Sequence, residues 1–254
     1  QNTLVIASSY SGDTEETLSA VKECKKRGSE IAVITSGGDL CDQAIANNWN
    51  YCKVPGGEQP RAMLAYSLVQ QLYILSNYNL INNDINGDLT KVIELLDDQE
   101  HATREEAMKI AAKLKGKLPI IYAGNDFKGV AVRWRQQINE NAKELCWHHV
   151  LPEMTHNEVV GWAGGTKQLA PIFLHSNLNH PRTNRRWEIS KEIISKYTDT
   201  IQETEARGTS KLEQTFYLIH LGDWVSYFIS EIKNIDAVEV DVINHLKGEM
   251  AKMK

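Results

Sequence analysis

Short apolar, β-branched runs alternate with longer amphipathic stretches along this chain, and that alternation constrains its fold most. Residues 3–9, 30–35 and 51–54 read as strands, the clearest being Ile31-Ala32-Val33-Ile34. Between them, 14–27 and 39–47 read as helices. In the first of these Leu18, Val21 and Cys24 recur at helical spacing and Gly28 closes the run. Strand–helix–strand–helix–strand order requires a parallel sheet with helices on both faces, because parallel neighbours need a crossover connection. A long helix over 60–79 follows, with Met63, Leu64, Leu68, Leu72 and Leu75 as its stripe. Residues 78–88 are polar and Asn-rich and read as a linker. Residues 89–114 read as two charged amphipathic helices.

A second set of elements opens with a strand at 119–123 and a helix at 127–143. Strands at 145–149 and 168–174, a helix at 181–196 and a strand-like run at 198–205 come next. Helices at 210–233 and 238–247 end the chain. The expected fold class is α/β: two doubly wound domains, each a parallel sheet flanked by helices, over 1–82 and 83–254. Gln1 leads at once into a core strand, so the first domain is expected to be incomplete. The net charge of −5 argues against a nucleic-acid partner. No apolar run has the length of a membrane span. Cys24, Cys41, Cys52 and Cys146 show no Cys-x-x-Cys spacing and read as reduced thiols of a cytoplasmic protein.

After the first strand comes Ser8-Ser9-Tyr10-Ser11-Gly12-Asp13-Thr14-Glu15-Glu16-Thr17, a hydroxyl-rich turn running into a helix. The hydroxyls of Ser9, Ser11 and Thr14 and the orphan N–H groups of the helix start suit a phosphate. With no Lys or Arg in the turn, a compact sugar phosphate fits better than a triphosphate. The plainer reading is an ordinary helix cap by Asp or Thr.

Further candidates each have a plain alternative. Glu140 lies near the end of the 127–143 helix, off its apolar stripe and beside Arg133 and Gln137 at helical spacing. A proton-exchanging base suits the negative end of a helix dipole; a surface Glu pairing with Lys143 is the alternative. His148, His149, His156 and Glu158 crowd one segment, but their spacing follows no metal-ligand pattern, so no metal is expected. His156, in an irregular polar stretch, reads better as an acid–base histidine or an exposed loop residue. Arg61 opens the 60–79 helix and could steady an oxyanion, or simply face solvent. Lys247 near the chain end reads first as a complement to a helix dipole.

Taken together, these segments resemble the bifunctional phosphoglucose/phosphomannose isomerases, built on sugar isomerase (SIS) domains. The turn resembles the SIS sugar-phosphate loop. Pro60-Arg61-Ala62, Asn139-Glu140-Asn141-Ala142-Lys143, His156-Asn157-Glu158-Val159-Val160-Gly161-Trp162 and Ile243-x-x-Leu246-Lys247 follow in the family's order. The resemblance implies two SIS domains, a homodimer with shared active sites, and no cofactor. It further implies that Ser9, Ser11 and Thr14 hold the phosphate and that Glu140 moves a proton between C1 and C2. Arg61 would stabilise the enediolate. Lys247 and His156, the latter supplied by the partner subunit, would assist ring opening. Two positions depart from the family pattern: Asp13 where Asn is usual, and Val240 where some members carry Thr. The function so implied is aldose–ketose isomerisation of glucose 6-phosphate, and of mannose 6-phosphate, to fructose 6-phosphate through a cis-enediol. The rivals are a non-catalytic SIS sugar-phosphate regulator, which would need the loop but not Glu140, His156 and Lys247, and the isomerase half of an amino-sugar amidotransferase.

Overall fold

A computed structural model describes residues 3–81 and 84–253. Gln1, and Asn82 and Asn83 at the expected domain boundary, lie outside the described residues. The chain divides into two compact units, Gln1–Gly87 and Asp88–Lys254.

In the first unit, β1 (Leu4–Ser8), β2 (Glu30–Thr35) and β3 (Asn50–Lys53) form a parallel sheet in the order β1-β2-β3. Val5 pairs with Ile31, and Val33 with Tyr51. Alternate residues serve opposite faces. Val5, Ala7, Ile31 and Val33 pack with Val21 and Leu18 of α1 (Glu15–Lys26) and with Leu40 and Ala44 of α2 (Gly38–Ala46). Leu4, Ile6, Ala32 and Ile34 pack instead with Ile74 of α3 (Leu64–Asn77). With helices on both faces, every inner strand position is apolar, which is why these strands are continuous hydrophobic runs. Residues 60–63 make a 3₁₀ turn before α3 rather than its first α-helical turn.

Residues 89–114 belong to one helix, α4 (Ile85–Leu114), not two, and it starts inside the stretch read as a linker. Buried or half-buried positions recur at 89, 92, 95, 99, 103, 107, 110 and 114, through the acidic run Asp97-Asp98-Gln99-Glu100. With that stripe intact and no proline to interrupt it, nothing ends the helix.

The strands β4 (Leu118–Gly124), β5 (Trp147–Leu151), β6 (Leu169–His175) and β7 (Gln202–Glu205) form a parallel sheet in the order β5-β4-β6-β7. One face (Ile121, Ala123, Ile172, Leu174) packs on α4, on α5 (Lys128–Ala142) and on α8 (Lys211–Lys233). The other (Ile120, Tyr122, Phe173) packs on Met154, Trp162 and Trp187, the last from α7 (Pro181–Ile194). α8 begins with a capping box between Ser210 and Glu213. It lies tight against α5: Trp134 donates from Nε1 to the Leu218 carbonyl at 2.7 Å. A Cβ on Gly222 would sit 2.3 Å from that indole nitrogen, so the helix contact requires glycine there. β5 starts two residues later than its sequence pattern suggests. The strand-like run from 198 pairs only over β7. The last helix, α9 (Asp241–Met250), starts three residues later than expected and passes Lys247. No helix among the described residues is long and apolar enough to cross a membrane.

Candidate active site

The turn after β1 is built from its own hydroxyls. Ser9 is buried. Its Oγ lies 2.9 Å from Thr14 Oγ1 and accepts from Gly12 N at 3.2 Å. Ser11 Oγ accepts from Asp13 N at 3.2 Å, which leaves its own O–H free to turn outward. Gly12 has φ +81°, and a Cβ there would meet the Gly37 carbonyl oxygen at 1.9 Å. The capping alternative is not what forms. Thr14, the N-cap of α1, makes no side-chain cap bond, and Asp13 Oδ1 accepts from Asp39 N at 2.9 Å, at the start of α2. The Asp13 charge is thus directed at the N-terminus of α2. Ser9, Ser11 and Thr14 are thus gathered in one turn. Arg61 lies half-buried in the 3₁₀ turn Pro60–Met63 of the same unit, with Gln59 Oε1 3.5 Å from its guanidinium.

In the second unit Glu140 is half-buried in the last turn of α5. It lines a cleft of about 290 Å³ with Asn139, Lys143, Glu239, Val240, Val242 and Ile243. Arg133 and Gln137, expected beside Glu140, turn elsewhere. Arg133 binds Asp223 through two nitrogens at 3.0 and 2.7 Å, and Gln137 Nε2 donates to the same carboxylate at 2.9 Å. Asp223 interrupts an otherwise apolar stretch of α8, and a lone acid on such a stripe was the sequence signal for this tie. Lys143 gives its ammonium to backbone carbonyls, Glu140's own among them at 2.8 Å. Lys247 lies on α9, four residues beyond Ile243 and so on the same helix face, one turn from the cleft.

His156 is exposed in a 3₁₀ turn (Glu153–His156) directly after β5, ahead of the short helix α6 (Glu158–Gly161). Asn157 ties the two together: its side chain accepts from Glu158 N at 2.5 Å and donates to Glu153 at 3.1 Å. Glu158, in the sequence a member of the His156–Trp162 motif and of the histidine-rich segment, anchors this stretch to the sheet. Its carboxylate takes the Tyr122 hydroxyl, His149 Nδ1 at 2.8 Å and the Trp147 indole at 3.4 Å. Burial, and then the Glu158 charge, push the Tyr122 phenol far above its ordinary range, so it stays an O–H donor. Burial, and then the nearby Arg135, hold His148 below the usual histidine value. Burial pushes the Cys146 thiol up to about 12, leaving it unreactive near neutrality, and all four cysteines are free.

Glu140 and His156 flank β5 along the chain. α5 runs back along the sheet, so Glu140 lies at the start of β5, whereas His156 follows its end. The five residues of β5 separate those positions by roughly 13 Å.

Comparison with known proteins adds to this geometry. Residues 103–250 match the family model of the bacterial phospho-glucose isomerase C-terminal SIS domain. The bifunctional phosphoglucose/phosphomannose isomerase of Caldicellulosiruptor bescii is 35% identical, over 99% of this chain and 77% of that protein. A D-glucosamine-6-phosphate 4-epimerase of Sulfolobus acidocaldarius is 37% identical, over 69% of this chain and 56% of that protein. Among solved structures, tagatose-6-phosphate ketose/aldose isomerase from Escherichia coli superposes with a TM-score of 0.68. That match covers 94% of this chain and 70% of that one at 13% identity, a likeness of fold.

Proposed function

The chain belongs to the bifunctional phosphoglucose/phosphomannose isomerase family, and on that premise we propose that it interconverts glucose 6-phosphate and mannose 6-phosphate with fructose 6-phosphate through a cis-enediol. The observation that carries the reading is Glu140: a half-buried carboxylate on a cleft whose far wall is apolar. Once the sugar ring has opened, this base takes the proton from C2 of the aldose and returns it to C1, while a hydroxyl proton moves between O1 and O2. Val240, Val242 and Ile243 give this base an apolar wall opposite, where the sugar carbons can lie against it.

Ser9, Ser11 and Thr14 hold the phosphate, Arg61 steadies the enediolate oxygen, and His156 and Lys247 open the ring. A sugar-phosphate regulator without catalysis gives no reason for a carboxylate in such a cleft. Because Val240 rather than Thr lines it, the mannose epimer should turn over more slowly. Four free cysteines support a reducing, cytoplasmic setting.

A coupled assay on the full-length protein tests the reading. Fructose 6-phosphate should form from glucose 6-phosphate faster than from mannose 6-phosphate. Inertness toward both, with epimerisation of glucosamine 6-phosphate instead, would overturn it.

The active form is a homodimer in which the partner subunit's His156 serves Glu140. Their placement at opposite ends of β5 fits this arrangement. Mixing two inactive variants, His156→Ala and Glu140→Gln, should therefore restore part of the activity on subunit exchange. Proven exchange without recovery would rule out the shared site.

A further inference from the structure

α5 ends with Lys143 in the left-handed conformation, at φ 48° and ψ 43°. Glycine or asparagine occupies this conformation at lower strain. A lysine held there points to a use for its side chain. The ammonium reaches three backbone carbonyls: Glu140 at 2.8 Å, Asp236 at 2.9 Å and Glu239 at 2.7 Å. An ammonium has three N–H donors, so these acceptors engage them all. The Glu239 carboxylate adds charge at 3.8 Å. One carbonyl belongs to the turn that carries Glu140. The other two belong to the segment leading into Val240, Val242 and Ile243, the opposite wall of the cleft. Lys233 crosses the same corner, donating to the Lys143 carbonyl at 3.2 Å and to Glu144 at 2.6 Å.

We propose that Lys143 is a positioning residue for the isomerisation: its ammonium ties the two walls of the cleft together and fixes the distance from Glu140 to the substrate carbons. The proposal rests on Glu140 being the base. Lys143 does not itself transfer the proton, because its donors are spent on the backbone. Untied, the 236–240 segment moves outward, taking with it the start of α9 and Lys247 one turn beyond Ile243.

The experiment uses Lys143→Gly and Glu140→Gln in the full-length protein. Glycine relieves the left-handed backbone, so the fold should survive and the melting temperature should not fall. A displacement of about 1 Å in a reacting group costs up to about a hundredfold in rate. In Lys143→Gly, kcat for glucose 6-phosphate should drop by about tenfold to a hundredfold with KM within about twofold of the parent. Added propylammonium should recover part of kcat in Lys143→Gly and none in Glu140→Gln. Near-native kcat in Lys143→Gly beside an inactive Glu140→Gln would overturn the proposal while leaving the base assignment standing. A joint fall of kcat and melting temperature that no amine relieves would overturn it too, as mere loss of structure. An active Glu140→Gln would remove the base assignment and the proposal together.

Discussion

Glu140→Gln is expected to cut isomerase turnover by about a hundredfold to ten-thousandfold, the range that a positioned general base supplies. Sugar-phosphate affinity should stay close to the parent's. Glutamine has nearly the shape of glutamate and keeps one carbonyl acceptor, but it cannot take a proton from carbon. The half-buried placement makes the substitution tolerable for the fold, since the helix turn is held by Lys143 and by the buried Ile138 and Ala142 beside it. The loss should therefore appear in kcat and kcat/KM alike, the signature of an interaction made in the transition state. Exchange of the C2 proton of glucose 6-phosphate with solvent deuterium gives an independent reading, because it reports abstraction without product release. It should vanish together with turnover. Retained turnover or retained exchange would assign the base elsewhere.

The fold was more legible than the site, for a physical reason. Parallel strands covered on both faces write themselves as unbroken runs such as Ile31–Ile34, and amphipathic helices as stripes such as Leu18, Val21 and Cys24. Both signals are local. The sequence divides 89–114 into two amphipathic helices, whereas the continuity of α4 rests on a stripe that extends over many turns. α9 starts later than its apolar spacing suggests because the Lys143 ammonium holds the backbone at Asp236 and Glu239 in an irregular segment just before it.

The site depends on tertiary partners that spacing does not encode. Arg133 and Gln137 stand beside Glu140 on a helical wheel, yet Asp223 takes both from across the α5–α8 contact. Lys143 sits three residues from Glu140, the spacing of a surface ion pair, but its ammonium serves three carbonyls. His149 and Glu158 crowd one segment in sequence without a metal-ligand spacing, and in the fold they bond each other. The motif segments were legible as a family pattern, and their chemistry had to wait for the geometry around them.

Replacing Ser11 and Thr14 together with Ala should raise KM for glucose 6-phosphate by about a hundredfold to ten-thousandfold with little change in kcat. A hydrogen bond to a charged group is worth about 1.5–3 kcal/mol, and two neighbouring ones sum to roughly 3–6 kcal/mol at most. Every 1.4 kcal/mol is about tenfold in affinity. The loop is suited to give that energy. Ser11 Oγ already accepts from Asp13 N, so its O–H is the group left to donate. Thr14 makes no cap bond to α1, and among the described residues its hydroxyl pairs with Ser9. Phosphate stays chemically unchanged through the reaction, so its contacts bind substrate and transition state equally and act on KM rather than kcat. The fold should tolerate the double change. Both side chains are exposed, and buried Ser9 keeps its bond from Gly12 N. Ser9→Ala, by contrast, removes the acceptor that closes the turn and should lower the melting temperature as well. Inorganic phosphate separates the readings further: it should inhibit the parent competitively and lose that inhibition in the double variant. An unchanged KM for glucose 6-phosphate, or undiminished phosphate inhibition, would move the phosphate out of this turn.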